Sequence, residues 1–176
     1  MWLFTLLMKH FVYIIIFLAV ISSCKKEPTF APVPVIAFEK FVAYNADSAD
    51  CYITFKDGNG QIGNLIGDTT FNLVLEYLHK VNGTFVPYIT NIGGQPIQSS
   101  VNRFGKPTDT LFYPYQIPNL TPTGQYQAIQ GEIKVKLRTA PVFSPTDSVV
   151  KFSITLWDRN GNQSNTVTTD EIIVPQ

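Results

Sequence analysis

The sequence predicts an all-β domain, a β-sandwich of about seven or eight antiparallel strands behind an N-terminal signal segment. Short runs of β-branched and aromatic residues alternate with turn residues at intervals of about ten residues. The chain of 176 residues contains 12 prolines and 11 glycines, and 13% of it is aromatic. Asn82-Gly83, between two apolar runs, is a strong local signal for a hairpin. These observations favour a single immunoglobulin-like or fibronectin-III-like sandwich, without the Cys…Trp…Cys spacing of an antibody domain.

The N-terminal segment has the pattern of a bacterial secretion signal. Lys9-His10 precedes an unbroken apolar run over residues 11–21, and two serines then precede Cys24. An apolar run followed by small residues is typical of a secretory signal peptide. The ending Ile-Ser-Ser-Cys resembles the lipobox of bacterial lipoproteins, in which the cysteine is lipidated and the peptide is cut before it. We therefore expect residues 1–23 to be a lipoprotein signal peptide and Cys24 to carry the lipid.

A lipidated Cys24 predicts a domain tethered to the outer membrane. The residue after it is Lys25 and not Asp, which among related lipoproteins fits passage to the outer membrane. Residues 24–34 are charged and then rich in proline, which indicates an extended spacer. Residues 35–176 would form the sandwich domain. The sequence leaves open whether that domain faces the periplasm or the exterior.

An uncleaved transmembrane anchor is the alternative for the N-terminal segment. Residues 1–21 are long enough for the roughly 20 apolar residues that span a bilayer. Lys9 and His10 would then lie in the middle of the span, where a charge is costly. Their position favours the signal peptide.

Composition excludes some partners. The chain has 13 basic and 13 acidic residues, so no basic surface field attracts nucleic acid. If Cys24 is lipidated, Cys51 has no partner within the chain, and its apolar surroundings predict a small buried residue. The domain then depends on its hydrophobic core, without help from a disulfide.

The first half of the domain is predicted to form four strands, at 35–44, 50–56, 71–81 and 84–90. The first is rich in Val, Ile, Phe and Tyr, and the second alternates polar and apolar residues. The third is crowded with apolar residues and could also be read as a helix. Because Asn and Gly tolerate the positive φ of a tight turn, the Asn82-Gly83 pair favours two antiparallel strands instead.

The second half is predicted to add strands at 109–117, 132–138, 149–157 and 166–174, after a long polar loop over 91–108. The strand at 109–117 contains Pro114, which places it at a sheet edge or a bulge. In the strand at 132–138, Ile133, Val135 and Leu137 alternate with charged residues. That alternation indicates a strand with one buried and one solvated face.

Two loops carry a pattern of oxygen-bearing side chains. Asp57, Asn59 and Gln61 follow the second strand, and Asp158 and Asn160 follow the penultimate one. Alternate positions with glycine between them let such side chains converge, and calcium prefers oxygen ligands. The corresponding loops of an immunoglobulin-like sandwich lie at one end. The pattern therefore predicts a possible Ca²⁺ site where the two loops meet.

Tight turns are the alternative explanation for both loops. Asp, Asn and Gly also cap turns with their side chains and tolerate left-handed φ. The first loop has Ile62 where an EF-hand requires glycine, and Asp68 where an EF-hand has glutamate. Both readings remain open at the level of the sequence.

Several stretches carry a resemblance to a known family. The stretch YITFKDGNGQIG at 52–63 resembles the F-x-D-G-D-G-D-I-G motif of small uncharacterised lipoproteins of Bacteroidota-type bacteria. Two further pieces fit in order: IPNLTP at 117–122 with GEI at 131–133, and WDR at 157–159 with SNTVTT at 164–169. The resemblance implies an outer-membrane lipoprotein with an immunoglobulin-like domain and no assigned activity. This chain departs from the pattern at Asn59 and Gln61, where the family has acidic residues.

No motif of a hydrolase, metalloprotease, P-loop enzyme or paired-cysteine site is present. The sequence therefore predicts a protein that is not an enzyme. His79 lies just before the Asn-Gly turn and is expected at the surface. The candidate ligand-binding residues are aromatics in or beside the long loop, where rings could stack on a sugar or a protein partner; core and edge packing is the alternative. They are Tyr88, Phe104, Tyr113 and Tyr115.

These patterns together predict a non-catalytic, lipid-anchored β-sandwich that binds or supports another component of the cell envelope. The membrane would be contacted through the lipid on Cys24, and the partner would be an envelope protein or a glycan. The alternative is a glycan-binding module at the cell surface, assisted by Ca²⁺ if the two loops bind it. No partnership with nucleic acid is expected.

Overall fold

The computed structural model describes residues 29–92, 95–96, 100–124, 127–138, 142–144 and 146–175. The predicted signal peptide, Cys24 and the first part of the spacer lie outside these residues. The strands, in chain order, are β1 Val35–Asn45, β2 Ser48–Asp57, β3 Leu73–Val81, β4 Thr84–Pro87, β5 Asn91–Ile92, β6 Gln95–Pro96, β7 Phe112–Tyr115, β8 Ile129–Leu137, β9 Val149–Leu156, β10 Val167–Thr168 and β11 Ile172–Ile173.

Two antiparallel sheets form the β-sandwich that the sequence predicts. One sheet has the order β1-β2-β8. The other has the order β10-β9-β3-β4, with β7 also paired to β3 and β11 also paired to β9. Because β2 pairs with β8 and β3 pairs with β9, the chain crosses from one sheet to the other after β2 and again after β8. The predicted all-β fold is thus confirmed.

Five predicted strands are confirmed with small changes of boundary, namely β1, β2, β3, β8 and β9. The predicted strand at 166–174 is wrong as one element, because it is divided into β10 and β11. Between them the backbone N–H of Phe152 donates to Oγ1 of Thr169, so a side chain takes the place of a ladder partner. The predicted polar loop at 91–108 contains the short pair β5 and β6.

The hairpin between β3 and β4 is confirmed against the helical reading. Asn82 and Gly83 both have positive φ, at 50° and 84°. This is the backbone that a two-residue turn needs. Pro114 in β7 lies opposite Val74 of β3. Among the described strands β7 pairs with β3 alone, which confirms the predicted position of Pro114 at a sheet edge. Local turn chemistry here outweighs the crowded apolar pattern of residues 71–81.

The core contains a cluster of aromatic rings around Phe152 of β9, which is wholly buried. Its ring is stacked on Phe41 at 5.2 Å and meets Tyr77 edge-on at 5.4 Å. In β8 the apolar residues of the alternating pattern are buried and the charged ones face solvent, as predicted. Cys51 is also buried, as predicted.

The strand directions bring several loops to one end of the sandwich, which we call the tether end. It comprises residues 29–34, 57–72, 116–124, 127–128 and 157–166. The pairs Val35↔Lys56 and Leu73↔Leu156 lie at this end of each sheet, and the bridge Ile62↔Asp158 joins the two. Across the described part of the chain there is no helix long and apolar enough to cross a membrane.

Candidate functional site

The two loops with oxygen-bearing side chains meet at the tether end, as the sequence predicts. Ile62 and Asp158 form an isolated antiparallel bridge. The backbone N–H of Arg159 donates to the carbonyl oxygen of Gln61 at 3.0 Å. The loop after β2 and the loop after β9 are therefore one structural unit.

In the first loop, the predicted ligand oxygens are used as turn caps. The backbone N–H of Gln61 donates to Oδ2 of Asp57 at 2.7 Å and to Oδ1 of Asn59 at 3.1 Å. Nδ2 of Asn59 donates to the carbonyl oxygen of Pro32 at 2.9 Å. The contact between Gln61 and Asn59 is that of an Asx turn. Together these hydrogen bonds fix the loop and its contact with the preceding spacer.

The second loop closes in the same way. Oδ1 of Asp158 accepts the backbone N–H of Asn162 at 2.8 Å, and its Oδ2 accepts Nδ2 of Asn162 at 2.7 Å. Gly161 has a φ of +82°, which the turn requires. Asn160 is exposed at the tip of this turn. Both carboxylate oxygens of Asp158 are thus occupied within the loop.

Arg159 joins three loops at the tether end. Its Nη1 donates to the carbonyl oxygen of Gly63 at 3.0 Å and to Oδ1 of Asn119 at 2.8 Å. Its Nη2 donates to Oγ1 of Thr121. A guanidinium group suits this position because it presents five donors in a fixed plane. Sequence reasoning missed this residue, and its only signal was an arginine within the Asp-Arg-Asn-Gly turn.

Asp57 is the one member of the predicted calcium set with a buried side-chain atom that lacks a hydrogen-bond partner. The residue is wholly buried, and its Oδ1 has no hydrogen-bond partner. Burial raises the pKa of this carboxyl group, and the neighbouring Asp158 carboxylate raises it further. The two carboxylates belong to loops joined by the Ile62–Asp158 bridge, and a cation between them would favour their charged forms.

The calcium interpretation stays a prediction. Asp57 and Asp158 come from adjoining loops, but most of their oxygens are engaged, and Arg159 already supplies positive charge to the neighbouring carbonyl groups. Among the described residues no group of three or more His, Cys, Asp or Glu side chains could hold a metal ion. Any calcium would need the amide and backbone oxygens of these loops as well.

The predicted aromatic ligand set is not a single exposed surface. Tyr113 is only 6% exposed, and its hydroxyl donates to the carbonyl oxygen of Val142 at 3.0 Å. Its ring faces the core, which leaves no exposed face for stacking on a ligand. Tyr115 is half-buried against the core, and the ring of Tyr88 packs edge-on against Tyr77. Of the four predicted residues, Phe104 alone is mostly exposed, at 60%.

Phe104 belongs to a small stack on the surface. The guanidinium of Arg103 lies 4.9 Å from the Phe104 ring centroid and 4.7 Å from that of Trp157. Such contacts are cation–π interactions. The backbone N–H of Phe71 donates to the carbonyl oxygen of Arg103, which holds this loop beside the start of β3. Sequence reasoning selected Phe104 but not Arg103 or Trp157.

Two further polar groups were not predicted. Asp50 accepts Nζ of Lys134 and Nη2 of Arg138, each at 2.7 Å. Burial alone would raise the pKa of Asp50, but the hydrogen bonds from these cations lower it to about 2. His79, expected at the surface, is half-buried, with its Nδ1 3.6 Å from Oδ1 of Asp147. The Asp50 contacts join β2 to β8 and to Arg138, the residue after β8.

The described part of the spacer is docked on the first loop. The backbone N–H of Gly58 donates to the carbonyl oxygen of Ala31 at 2.8 Å. A Cβ atom at Gly58 would lie 2.3 Å from the carbonyl oxygen of Phe30, so only glycine fits there. Nζ of Lys56 lies 5.7 Å from the centroid of the Phe30 ring. The chain that leads to Cys24 thus leaves the domain at a fixed place.

The tether end therefore combines a docked spacer, two adjoining turn loops and the Arg159 hydrogen bonds, and Trp157 joins it to the neighbouring stack of Arg103 and Phe104. Each of these features is formed by contacts within the chain. No protein-family model matches this chain, and neither a curated protein nor a solved structure matches it significantly.

Proposed function

We propose that this chain is a non-catalytic, lipid-anchored module of the outer membrane, whose β-sandwich binds or supports another envelope component. The observation that carries the proposal is the docking of Ala31 and Pro32 on the loop at Gly58 and Asn59. A spacer that is attached to the domain in this way transmits the position of the anchor to the whole sandwich.

The reach of the tether limits how far the domain can move. Thr29, where the described chain begins, is five residue steps after Cys24. An extended chain spans at most 3.3–3.6 Å per residue, which gives a reach of about 18 Å. The tether end therefore faces the membrane, and the hairpin at Asn82-Gly83, at the other end of β3, points away from it. That distal surface is the one available to a partner.

The polar groups near the membrane support a structural role. The guanidinium of Arg159, the carboxylate of Asp158 and one carboxylate oxygen of Asp57 are taken up by hydrogen bonds that close and join loops. Groups used in this way hold the end of the domain in one shape. A rigid end suits a module that presents its distal surface to a partner.

Metabolic labelling with palmitate, together with cell fractionation, tests the anchoring. The wild-type chain should incorporate palmitate and sediment with outer membranes, and Cys24→Ser should do neither. Cys51→Ala is the matched control, because Cys51 is buried and burial raises the pKa of its thiol to about 12. A Cys24→Ser chain that is still labelled, or still sediments with membranes, would refute the anchoring.

Site-specific photocross-linking tests the partner. A photoreactive residue in place of the exposed Thr84 should give a discrete cross-linked product in intact cells. That product should disappear when Cys24→Ser is added, because the domain is then no longer held at the membrane. If Thr84 and other exposed distal positions gave no product in the anchored chain, the supporting role would fail while the anchoring could still stand.

A glycan-binding function is the second candidate, favoured by the exposed Phe104 beside Arg103 and Trp157. Trp157 is the only tryptophan after residue 23, so its fluorescence reports directly on this place. Titration with envelope oligosaccharides should change the emission of the wild type and not of Phe104→Ala. Phe85→Ala, in the distal hairpin, is the matched control. An emission that no oligosaccharide changes would exclude stacking at this surface.

A further inference from the structure

We infer that the turn at Leu65-Ile66-Gly67 is a lipid-contacting tip that enters the interface of the membrane to which the chain is anchored. The inference rests on the proposed lipid anchor and adds a second contact with the same membrane. Ile66 is fully exposed and Leu65 is 52% exposed. Tight turns normally place polar residues at such positions. Two large apolar side chains at a turn therefore call for a partner.

The turn holds these side chains in place. The backbone N–H of Leu65 donates to Oδ2 of Asp68 at 2.8 Å, and the N–H of Asp68 donates to the carbonyl oxygen of Leu65 at 3.2 Å. Gly67 supplies the positive φ of +97°. The turn is joined to the domain through the N–H of Asn64, which donates to the carbonyl oxygen of Ile117 at 2.8 Å. A tip fixed in this way loses little conformational freedom on contact.

The apolar surface extends beyond the tip itself. Leu120 is exposed on the neighbouring loop, and its N–H donates to the carbonyl oxygen of Ile62. Between the two loops lies an open cleft of about 720 Å³, lined in part by Ile117 and Pro118. Aliphatic side chains grouped in this way suit the boundary between headgroups and acyl chains, where apolar groups are buried by about 5–10 Å.

The position of the tip relative to the anchor favours lipid over a protein as its partner. The tip belongs to residues 57–72, the same loop on which Ala31 and Pro32 are docked through Gly58 and Asn59. The spacer can extend only about 18 Å from Thr29 to Cys24. The loop that carries the tip is therefore held at the membrane side of the domain. Lys25 and Lys26, next to the lipidated residue, would add attraction to anionic headgroups.

The test uses the full chain, purified from membranes in its lipidated form and reconstituted into vesicles of phosphatidylethanolamine and phosphatidylglycerol. Cys51→Ala removes the remaining thiol, and Ile66→Cys carries an environment-sensitive fluorophore. Thr84→Cys, in the distal hairpin, is the matched control. The label at 66 should be blue-shifted and quenched by brominated lipids, and the label at 84 should be neither.

A second variant checks that the apolar tip itself is responsible. Ile66→Asp changes a side chain that contacts only solvent, so the fold should be kept. In this variant a label at Leu120→Cys should lose its blue shift and its quenching by brominated lipid. A label at 120 that is unaffected by Ile66→Asp would overturn the role of the tip.

The outcomes separate this inference from the proposed anchor. If the chain is recovered in vesicles but the label at 66 is unquenched, the inference is overturned and the anchor stands. If the label at 66 is shielded only when other envelope proteins are present, the tip is a protein contact and the inference is again overturned. If the chain carries no lipid and does not associate with vesicles, the anchor fails and the inference fails with it.

Discussion

Arg159→Met tests whether the tether end is held together by one guanidinium group. The substitution keeps much of the apolar stem and removes the hydrogen bonds to Gly63, Asn119 and Thr121. We expect the loops at 57–63, 119–121 and 157–162 to keep their backbone hydrogen bonds but to lose the side-chain bonds that join all three, while the two sheets remain folded. The effect should therefore appear as a loss of stability together with looser loops.

The magnitude follows from the hydrogen bonds that are lost. A hydrogen bond to a charged group contributes about 1.5–3 kcal/mol when it is buried. Arg159 is half-buried and Asn119 is exposed, so hydrogen bonds with water replace part of the lost interaction. We therefore expect the free energy of unfolding to fall by about 2–3 kcal/mol in total. At about 2–4 °C per kcal/mol, the Tm should fall by about 4–12 °C. Arg159→Lys should recover less than half, because an ammonium cannot form the planar fork.

Thermal and urea unfolding give the free energy of unfolding, with circular dichroism for the sheets and Trp157 emission for the neighbouring loop. Lys106→Met is the matched control, because Lys106 is an exposed cation in another turn, and it should change the free energy of unfolding by less than about 0.5 kcal/mol. If Arg159→Met behaved like this control, the hydrogen bonds of Arg159 would contribute nothing, and the reasoning about the tether end would be wrong.

Three further predictions concern metal, pH and the core. A calcium ion between the loops would stabilise the fold by about 2.7 kcal/mol at a hundredfold excess over its Kd. The gain should vanish in the double variant Asp57→Asn, Asp158→Asn. Identical melting curves of the wild type in calcium and in EDTA would refute the calcium site. The pKa of Asp50 falls from 3.8 to about 2 on folding. The contribution of the Asp50 carboxylate to the free energy of unfolding is therefore present above pH 4 and is lost as the pH falls towards 2. Plots of the free energy of unfolding against pH for the wild type and for Asp50→Asn should converge near pH 2. Phe152→Ala should cost about 3–5 kcal/mol in urea unfolding, and the exposed Phe104→Ala under about 0.5 kcal/mol.

The sequence predicted those parts of the fold that depend on local chemistry. Asn82-Gly83 identified a hairpin because the turn needs positive φ at both residues, a condition contained within two positions. The alternation over 132–138 identified the buried face of β8 because a strand has a period of two. These signals need no knowledge of distant residues.

The side of the sheet on which a ring lies was harder to predict around Pro114. Phe112, Tyr113 and Tyr115 are all large and aromatic, so no alternation distinguishes the inner face from the outer one. The structure places Tyr113 inward, with its hydroxyl on the carbonyl of Val142, which is distant in the sequence. A strand of uniform apolar character gives no sequence signal for such a choice.

Arg159 escaped prediction for a different reason. Its acceptors include the carbonyl oxygen of Gly63. Because every residue has a backbone carbonyl oxygen, the amino-acid sequence does not show which residue accepts this hydrogen bond. The two adjoining loops were predictable because their side chains follow a pattern, and Asp57 and Asp158 do lie in contacting loops. What those side chains do there depends on the hydrogen bonds that the fold makes available.

Asp57 lies at the base of the loop on which Ala31 and Pro32 are seated. A wholly buried carboxylate with one unsatisfied oxygen destabilises the fold unless neighbouring groups compensate. Here the N–H of Gln61 caps its other oxygen, and Gly58, next in the chain, binds the spacer at Ala31. The carboxylate thus fixes the loop on which the spacer is seated. Substituting Asp57 should therefore loosen the contact with Ala31 and Pro32 before it disturbs the sheets, and this would link the geometry of the loop to the position of the proposed anchor.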